Sequence, residues 1–198
     1  PEDIPATTPY GASKRAAELL IHVYHALYGL SAHCLRLGEV YGPRLRSDLS
    51  VHRLVRKLDS GEAIRLDGDP IAARKYVHVD DVVRAILLSL NALFESESPV
   101  YETIDIGGGD RVSRQALVDA LSRHLGVDPV VDGPEGSTPA DPSAGVDGEK
   151  AKQVLGFEPS VDLDEGLRRF VEWYRQAGVS DGDESPAHSP VGASPDLN

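Results

Sequence analysis

The sequence has no methionine, one tryptophan and a single cysteine in 198 residues. A lone thiol, Cys34, excludes an intramolecular disulfide framework and any all-cysteine metal site. It fits a reducing compartment, so a cytoplasmic location is expected. No run approaches the roughly 20 apolar residues that span a bilayer, which sets a membrane role aside. Surplus positive charge is missing too: the net charge is −12, which argues against a nucleic-acid partner, because phosphate backbones are held by excess Lys and Arg. Aromatic residues are few, at 6%, yet 40% hydrophobic residues suffice for the core of one domain or two small ones.

The charge is uneven. From Arg36 to Lys75 there are nine cations, Arg36, Arg44, Arg46, Arg53, Arg56, Lys57, Arg65, Arg74 and Lys75, against six anions. A cationic island in an acidic chain suits a small anionic ligand such as a diphosphate.

Periodicity alternates between helices and strands. Gly11 to Tyr28 carries an apolar stripe of Ala16, Leu19, Leu20, Val23, Tyr24 and Leu27 that stops at Gly29, a helix expected to pack on a sheet. Ala32 to Leu37 reads as a strand, ending in a turn-rich loop from Gly38 to Pro43. A helix from Leu49 to Leu58, a short strand from Ala63 to Leu66 and a turn at Asp67 to Pro70 follow. Next come a strand at Tyr76 to Val79 and a helix from Asp81 to about Phe94 with Asp80 as its cap. Val100 to Ile106 is a strand meeting Gly107-Gly108-Gly109, and Ser113 caps a helix to Leu125. Asp132 to Asp147 is expected to be a long loop, Glu149 to Leu155 and Leu163 to Gln176 helices, and the chain beyond Gly178 a disordered tail. Gly107 to Gly109 is read as a tight turn, since no Gly-x-Gly-x-x-Gly occurs. His22, His25 and His33 follow no metal-ligand spacing, and His78 reads as a structural residue of its strand.

Tyr10 and Lys14 lie four residues apart, so on a helix their side chains are neighbours on one face. A phenol titrating near pH ~10 is a poor base, but an adjacent ammonium stabilises the phenolate, making the pair a candidate acid/base. The chain starts at Pro1 without an initiator residue, and a redox pair this close to the start places the cofactor fold upstream. The expectation is therefore the second half of an enzyme, inactive in isolation.

Five segments in order sharpen this: Pro9 to Lys14, Leu35-Arg36 followed by Val40 to Pro43, Arg74 followed by Val77 to Asp81, Ile104 to Gly109, and Leu155 to Pro159. Together they resemble the extended short-chain dehydrogenase/reductases, and more narrowly the NAD-dependent nucleotide-sugar epimerases and dehydratases, from Pro9 to about Arg175. The helix from Ala17 to Leu30 is similar to that of UDP-glucuronate epimerases. The resemblance implies an α/β fold: the C-terminal part of a Rossmann-type doubly wound parallel sheet plus a smaller mixed α/β substrate domain. Residues 1–43 and 76–95 would belong to the cofactor domain, 44–75 and 96–177 to the substrate domain, and 178–198 to a tail.

In roles, the resemblance implies Tyr10 as the base that takes a proton from a sugar hydroxyl while the carbon beneath loses hydride to the nicotinamide. Lys14 would hold the nicotinamide ribose, Gly38 would lie against the nicotinamide, and Glu39, Arg46, Arg65 and Arg74 would border the nucleotide sugar, Arg74 on the diphosphate. The implied cofactor is NAD, with NADP open, and the implied ligand a UDP-hexose or UDP-hexuronate epimerised at carbon 4. Family members of this type dimerise through the helix that bears Tyr and Lys. Dehydration, decarboxylation or reduction on the same fold, or a non-catalytic fragment, are the alternatives. The chain departs from the family pattern at Glu39, where many members have Asn, at Lys75, where Asp commonly follows Arg, and near Ser137, where a second diphosphate-binding Arg is missing. Either the substrate is unusual or the phosphate contacts have moved to Arg44, Arg46 or Arg53.

Overall fold

The computed structural model describes residues 8–65, 74–109, 111–132 and 148–178, with the side chain of Arg65 left aside. The expected turn at Asp67 to Pro70, the loop around Ser137 and the tail beyond Gly178 lie outside these residues.

Local chemistry sets the helix ends. Thr8 caps α1 (Pro9–Tyr28) by accepting from the Gly11 amide at 3.0 Å, Pro9 stands in the first turn where no amide is needed, and Gly29 ends the helix at φ 67°. Then come β1 (Ala32–Leu37), β2 (Glu39–Tyr41), α2 (Ser50–Asp59), β3 (Ile64–Arg65), β4 (Tyr76–His78) and α3 (Val79–Glu95). The chain continues through β5 (Tyr101–Ile106), α4 (Arg114–Leu125), β6 (Val131–Asp132), α5 (Glu149–Leu155) and α6 (Leu163–Gln176). Ser113 and Asp162 cap α4 and α6 by accepting from the amides of Ala116 and Glu165.

Among the described residues the three strand pairs are parallel. β1 runs beside β5 in unbroken register from Ala32 opposite Tyr101 to Leu37 opposite Ile106, β2 pairs with β4, and β3 pairs with β6. Residues 101–106 thus share a layer with residues 32–37. Alternation along β1 sends neighbouring side chains to opposite faces. Arg36 holds Glu18 of α1 through two hydrogen bonds of 2.7 and 2.6 Å, while His33 meets Ser89 of α3 at 2.9 Å. Helices on both faces of parallel strands make this the doubly wound α/β arrangement expected from the sequence.

Two apolar clusters hold the layers. Phe170 and Leu167 of α6, Leu117 and Leu121 of α4 and Leu54 and Val55 of α2 close around Tyr41 and Ile64. Ile104 and Ile106 of β5 pack with Val77, with Val82 and Ala85 of α3, and with Ala151, Leu155 and Phe157. Among the described residues no helix is long and apolar enough to cross a membrane.

The structure corrects three local readings. Residues 39–41, read as loop, form β2, because Val40 and Tyr41 gain a partner strand in β4. His78, not Asp80, caps α3: its Nδ1 accepts from the Asp80 amide at 3.2 Å, and the helix begins two residues earlier than read. The stripe of Leu19, Leu20, Val23, Tyr24 and Leu27 stays exposed, and α1 buries no residue completely. Its polar flank faces β1 and β5 instead. Glu18 binds Arg36, and the rings of His22 and His25 lie 4.9 and 5.7 Å from the Tyr101 ring.

Candidate active site

Parallel strands direct their carboxyl ends to one edge, where open α/β sheets bind ligands. Here β1 and β5 end together: the Gly38 amide donates to the Ile106 carbonyl at 2.8 Å. Strand β4 crosses close by, and two glycines make room for it. A Cβ on Gly38 would stand 2.9 Å from the Lys75 carbonyl oxygen, and one on Gly108 would run into the Tyr76 carbonyl oxygen. The glycine requirement at 38 is thus met within the chain by close backbone approach.

Glu39 and Arg74 meet beside Gly38. The Arg74 guanidinium reaches the Glu39 carboxylate at 2.5 Å, with both side chains partly in solvent. Arg74 is pinned through its backbone, which exchanges two hydrogen bonds, 3.0 and 2.9 Å, with Val112. Tyr76 is the strand partner of Glu39, and burial, reinforced by the Glu39 charge, pushes its phenol up while Arg74 and Arg114 oppose this. Burial likewise pushes up the phenol of Tyr41, which is 1% exposed. Neither tyrosine is suited to base chemistry.

Tyr10, by contrast, is open to solvent on the first turn of α1, 71% exposed. The Lys14 ammonium lies over its ring, 5.3 Å from the centroid, so the helix brings together the two side chains that the spacing predicted. No hydrogen bond or ion pair joins Tyr10 and Lys14 to Glu39 and Arg74 among the described residues. Arg46 is held by Asp48 through bonds of 3.0 and 2.5 Å, on an exposed turn. The backbone of Arg65 lies in β3 beside Asp132.

Arg114 and Tyr76 were not read from the sequence as site residues. Arg114 follows the Ser113 cap as the first residue of α4, two residues past Val112, which bridges Arg74, and its charge acts on Tyr76 as that of Arg74 does. No spacing in the sequence encodes that bridge. Next to the cluster a cleft of about 460 Å³ is lined by Tyr76, Gly109 and Val112 on one side and by Ser160, Val161 and Leu163 on the other. Among the described residues no group of three or more His, Cys, Asp or Glu side chains is placed to hold a metal ion.

Parallel strand pairs with helices on both faces, an exposed Tyr/Lys pair on one helix and an Arg beside the strand ends place the chain in the class of Rossmann-type α/β proteins. Residues 1–107 match the NAD dependent epimerase/dehydratase family, and the chain belongs to it. It is 34% identical over 179 residues to UDP-glucuronate 4-epimerase of Thermodesulfobacterium geofontis, covering 88% of this chain and 54% of that protein. It is 32% identical over 176 residues to dTDP-glucose 4,6-dehydratase of Streptomyces griseus, covering 88% of this chain and 52% of that protein. The fold superposes with a TM-score of 0.75 and 30% identity on the crystal structure of UDP-glucuronic acid 4-epimerase from Bacillus cereus in complex with UDP-glucuronic acid and NAD, over 89% of this chain and 56% of that one. The chain therefore spans about half the length of the relatives it matches. The family is NAD-dependent.

Of the chain's own groups, the Lys14 ammonium beside the exposed Tyr10 carries donors of the kind that bind ribose hydroxyls. The 198 residues contain no Gly-x-Gly-x-x-Gly turn of the kind that seats a dinucleotide pyrophosphate.

Proposed function

We propose that the complete protein to which this chain belongs is an NAD-dependent epimerase acting at carbon 4 of a UDP-hexose or UDP-hexuronate. The observation that carries the proposal is the Lys14 ammonium seated over the ring of an exposed Tyr10 on one helix face, in a chain of this family. NAD, when bound, supplies the acceptor and then the donor of hydride at carbon 4. Tyr10 takes the proton of the 4-hydroxyl onto its phenolic oxygen and returns it after the sugar has turned its other face. Lys14 stabilises the phenolate in that exchange and holds the nicotinamide ribose. Arg74 binds the diphosphate, Glu39, Arg46 and Arg65 border the nucleotide sugar, and Gly38 lies where the nicotinamide would come against the end of β1. Residues 1–43 and 76–95 serve the cofactor half, and 44–75 and 96–177 the substrate half.

A second reading, dehydration, is supported by the 32% identity to the dTDP-glucose dehydratase. One experiment separates the two. The complete protein is incubated with UDP-glucose, UDP-glucuronate and dTDP-glucose, and the products are identified by nuclear magnetic resonance. A 4-epimer supports the first reading, and a 4-keto-6-deoxy sugar the second. In either case Tyr10→Phe should lower kcat by at least ~100-fold, the lower range for loss of a positioned general acid/base. Turnover that survives this change removes Tyr10 from the chemistry.

A further inference from the structure

The ion pair between Glu39 and Arg74 leaves the cation at the strand ends already satisfied. Glu39 opens β2 directly after Gly38, its amide donates to the Lys75 carbonyl at 3.1 Å, and its side chain meets the Arg74 guanidinium at 2.5 Å. Neither residue forms another side-chain hydrogen bond or ion pair among the described residues. Both stay accessible, at 39% and 53% exposure for their side chains, so a ligand can reach the pair. Arg74 is anchored by its double backbone bridge to Val112, and Glu39 by its place in β2. The guanidinium can therefore rotate from one acceptor to another, whereas the two backbones cannot separate.

Resting on the reading that Arg74 binds the diphosphate, we infer that Glu39 is an internal competitor for Arg74, which a nucleoside diphosphate must displace, and that it thereby sets the affinity of the site. Two effects act in the same direction. An exposed ion pair must be broken, and the released carboxylate then faces the diphosphate across the width of one guanidinium with like charge. Arg74 is a shared cation under carboxylate control rather than a free one.

The test is calorimetric titration of UDP, with uridine as the uncharged control, into the complete protein and its variants at low and physiological salt. Glu39→Gln should tighten UDP by about tenfold at low salt and less at physiological salt, as expected for removing one exposed competitor and one like charge. Uridine binding should stay unchanged. Arg74→Gln should weaken UDP, and Glu39→Gln placed on Arg74→Gln should gain less than about threefold, because the competition has lost its object. Glu39→Asn is a second, smaller replacement and should repeat the gain of Glu39→Gln. An equal gain with and without Arg74 overturns the competition, as does no gain or a loss in both Glu39 variants. UDP binding to none of the proteins overturns the diphosphate reading of Arg74 itself, and the competition with it.

Discussion

Replacing Asp81 with Asn should cost the folded chain about 3 kcal/mol. The Asp81 carboxylate is 1% exposed at the start of α3 and is saturated with donors. Its Oδ1 accepts from the Ser160 hydroxyl at 2.7 Å and the Ser160 amide at 3.0 Å, and its Oδ2 accepts from the Val161 amide at 3.0 Å. Arg84 adds a hydrogen bond of 2.9 Å while also reaching the Glu158 carbonyl. An Asn side chain keeps one acceptor and turns an NH2 toward the other donors. One buried amide then loses its partner, at ~1–3 kcal/mol, and the remaining hydrogen bonds lose the charge that raised them to ~1.5–3 kcal/mol each. The sum, partly relieved by relaxation, is near 3 kcal/mol, and with a urea slope of about 2 kcal/mol/M the unfolding midpoint should fall by about 1.5 M.

The pH dependence supplies an independent check. Burial alone raises the Asp81 pKa, but the hydrogen bonds from Arg84, Val161 and Ser160 outweigh it and hold the carboxyl below the ordinary range. With the folded pKa below the unfolded value of about 3.9, the charge contributes its stability above that value and loses it as pH falls through the folded pKa. The deficit of Asp81→Asn in urea titrations should therefore be constant from about pH 8 to 5 and shrink below about pH 4. A deficit under about 1 kcal/mol at neutral pH, or one that persists in acid, refutes the reasoning. The consequence reaches the candidate site, because Ser160 and Val161 line the cleft opposite Tyr76.

Two further outcomes follow from close packing at the same edge. Gly108→Ala should destabilise by at least about 2 kcal/mol, since its Cβ would run into the Tyr76 carbonyl oxygen, whereas Gly109→Ala, which meets nothing within 4 Å, should change stability by less than about 1 kcal/mol; thermal unfolding of the two variants decides this. Burial holds the His78 imidazole below its ordinary pKa, so its contribution to stability is present above the unfolded value of about 6.5 and is lost as pH falls through the folded one. Wild type should accordingly lose more stability between about pH 7 and 5 than His78→Asn, which keeps a capping side chain without the titration; equal slopes in urea titrations would count against it.

Much of this protein was legible in its residues because the signals are local. Gly29 and Ser113 mark helix ends by the φ angle and the side-chain acceptor they offer, and the helices at 149–155 and 163–176 lie where the periodicity placed them. The meeting of Tyr10 with Lys14 follows from helix geometry alone. What failed was local evidence with a distant arbiter. Val40 and Tyr41 looked like loop beside Gly38, Gly42 and Pro43 until β4 supplied a partner, and Asp80 looked like a cap until His78 turned its ring over the helix start.

The sequence by itself determined the alternation of helix and strand, the family and the meeting of Tyr10 with Lys14 on one helix face, because each depends on residue types at short, fixed separations. Tertiary structure alone decided which face of α1 meets the sheet. It chose Glu18, His22 and His25 over the apolar stripe, since Arg36 and Tyr101 arrive from strands 18 or more residues away. It also decided the state of Arg74. The sequence offers Arg74 as a cation, but the pairing of β2 with β4 sets Glu39 against it, 35 residues away along the chain and 2.5 Å away in space. Charge acts through distance, and distance between strands is set by the fold.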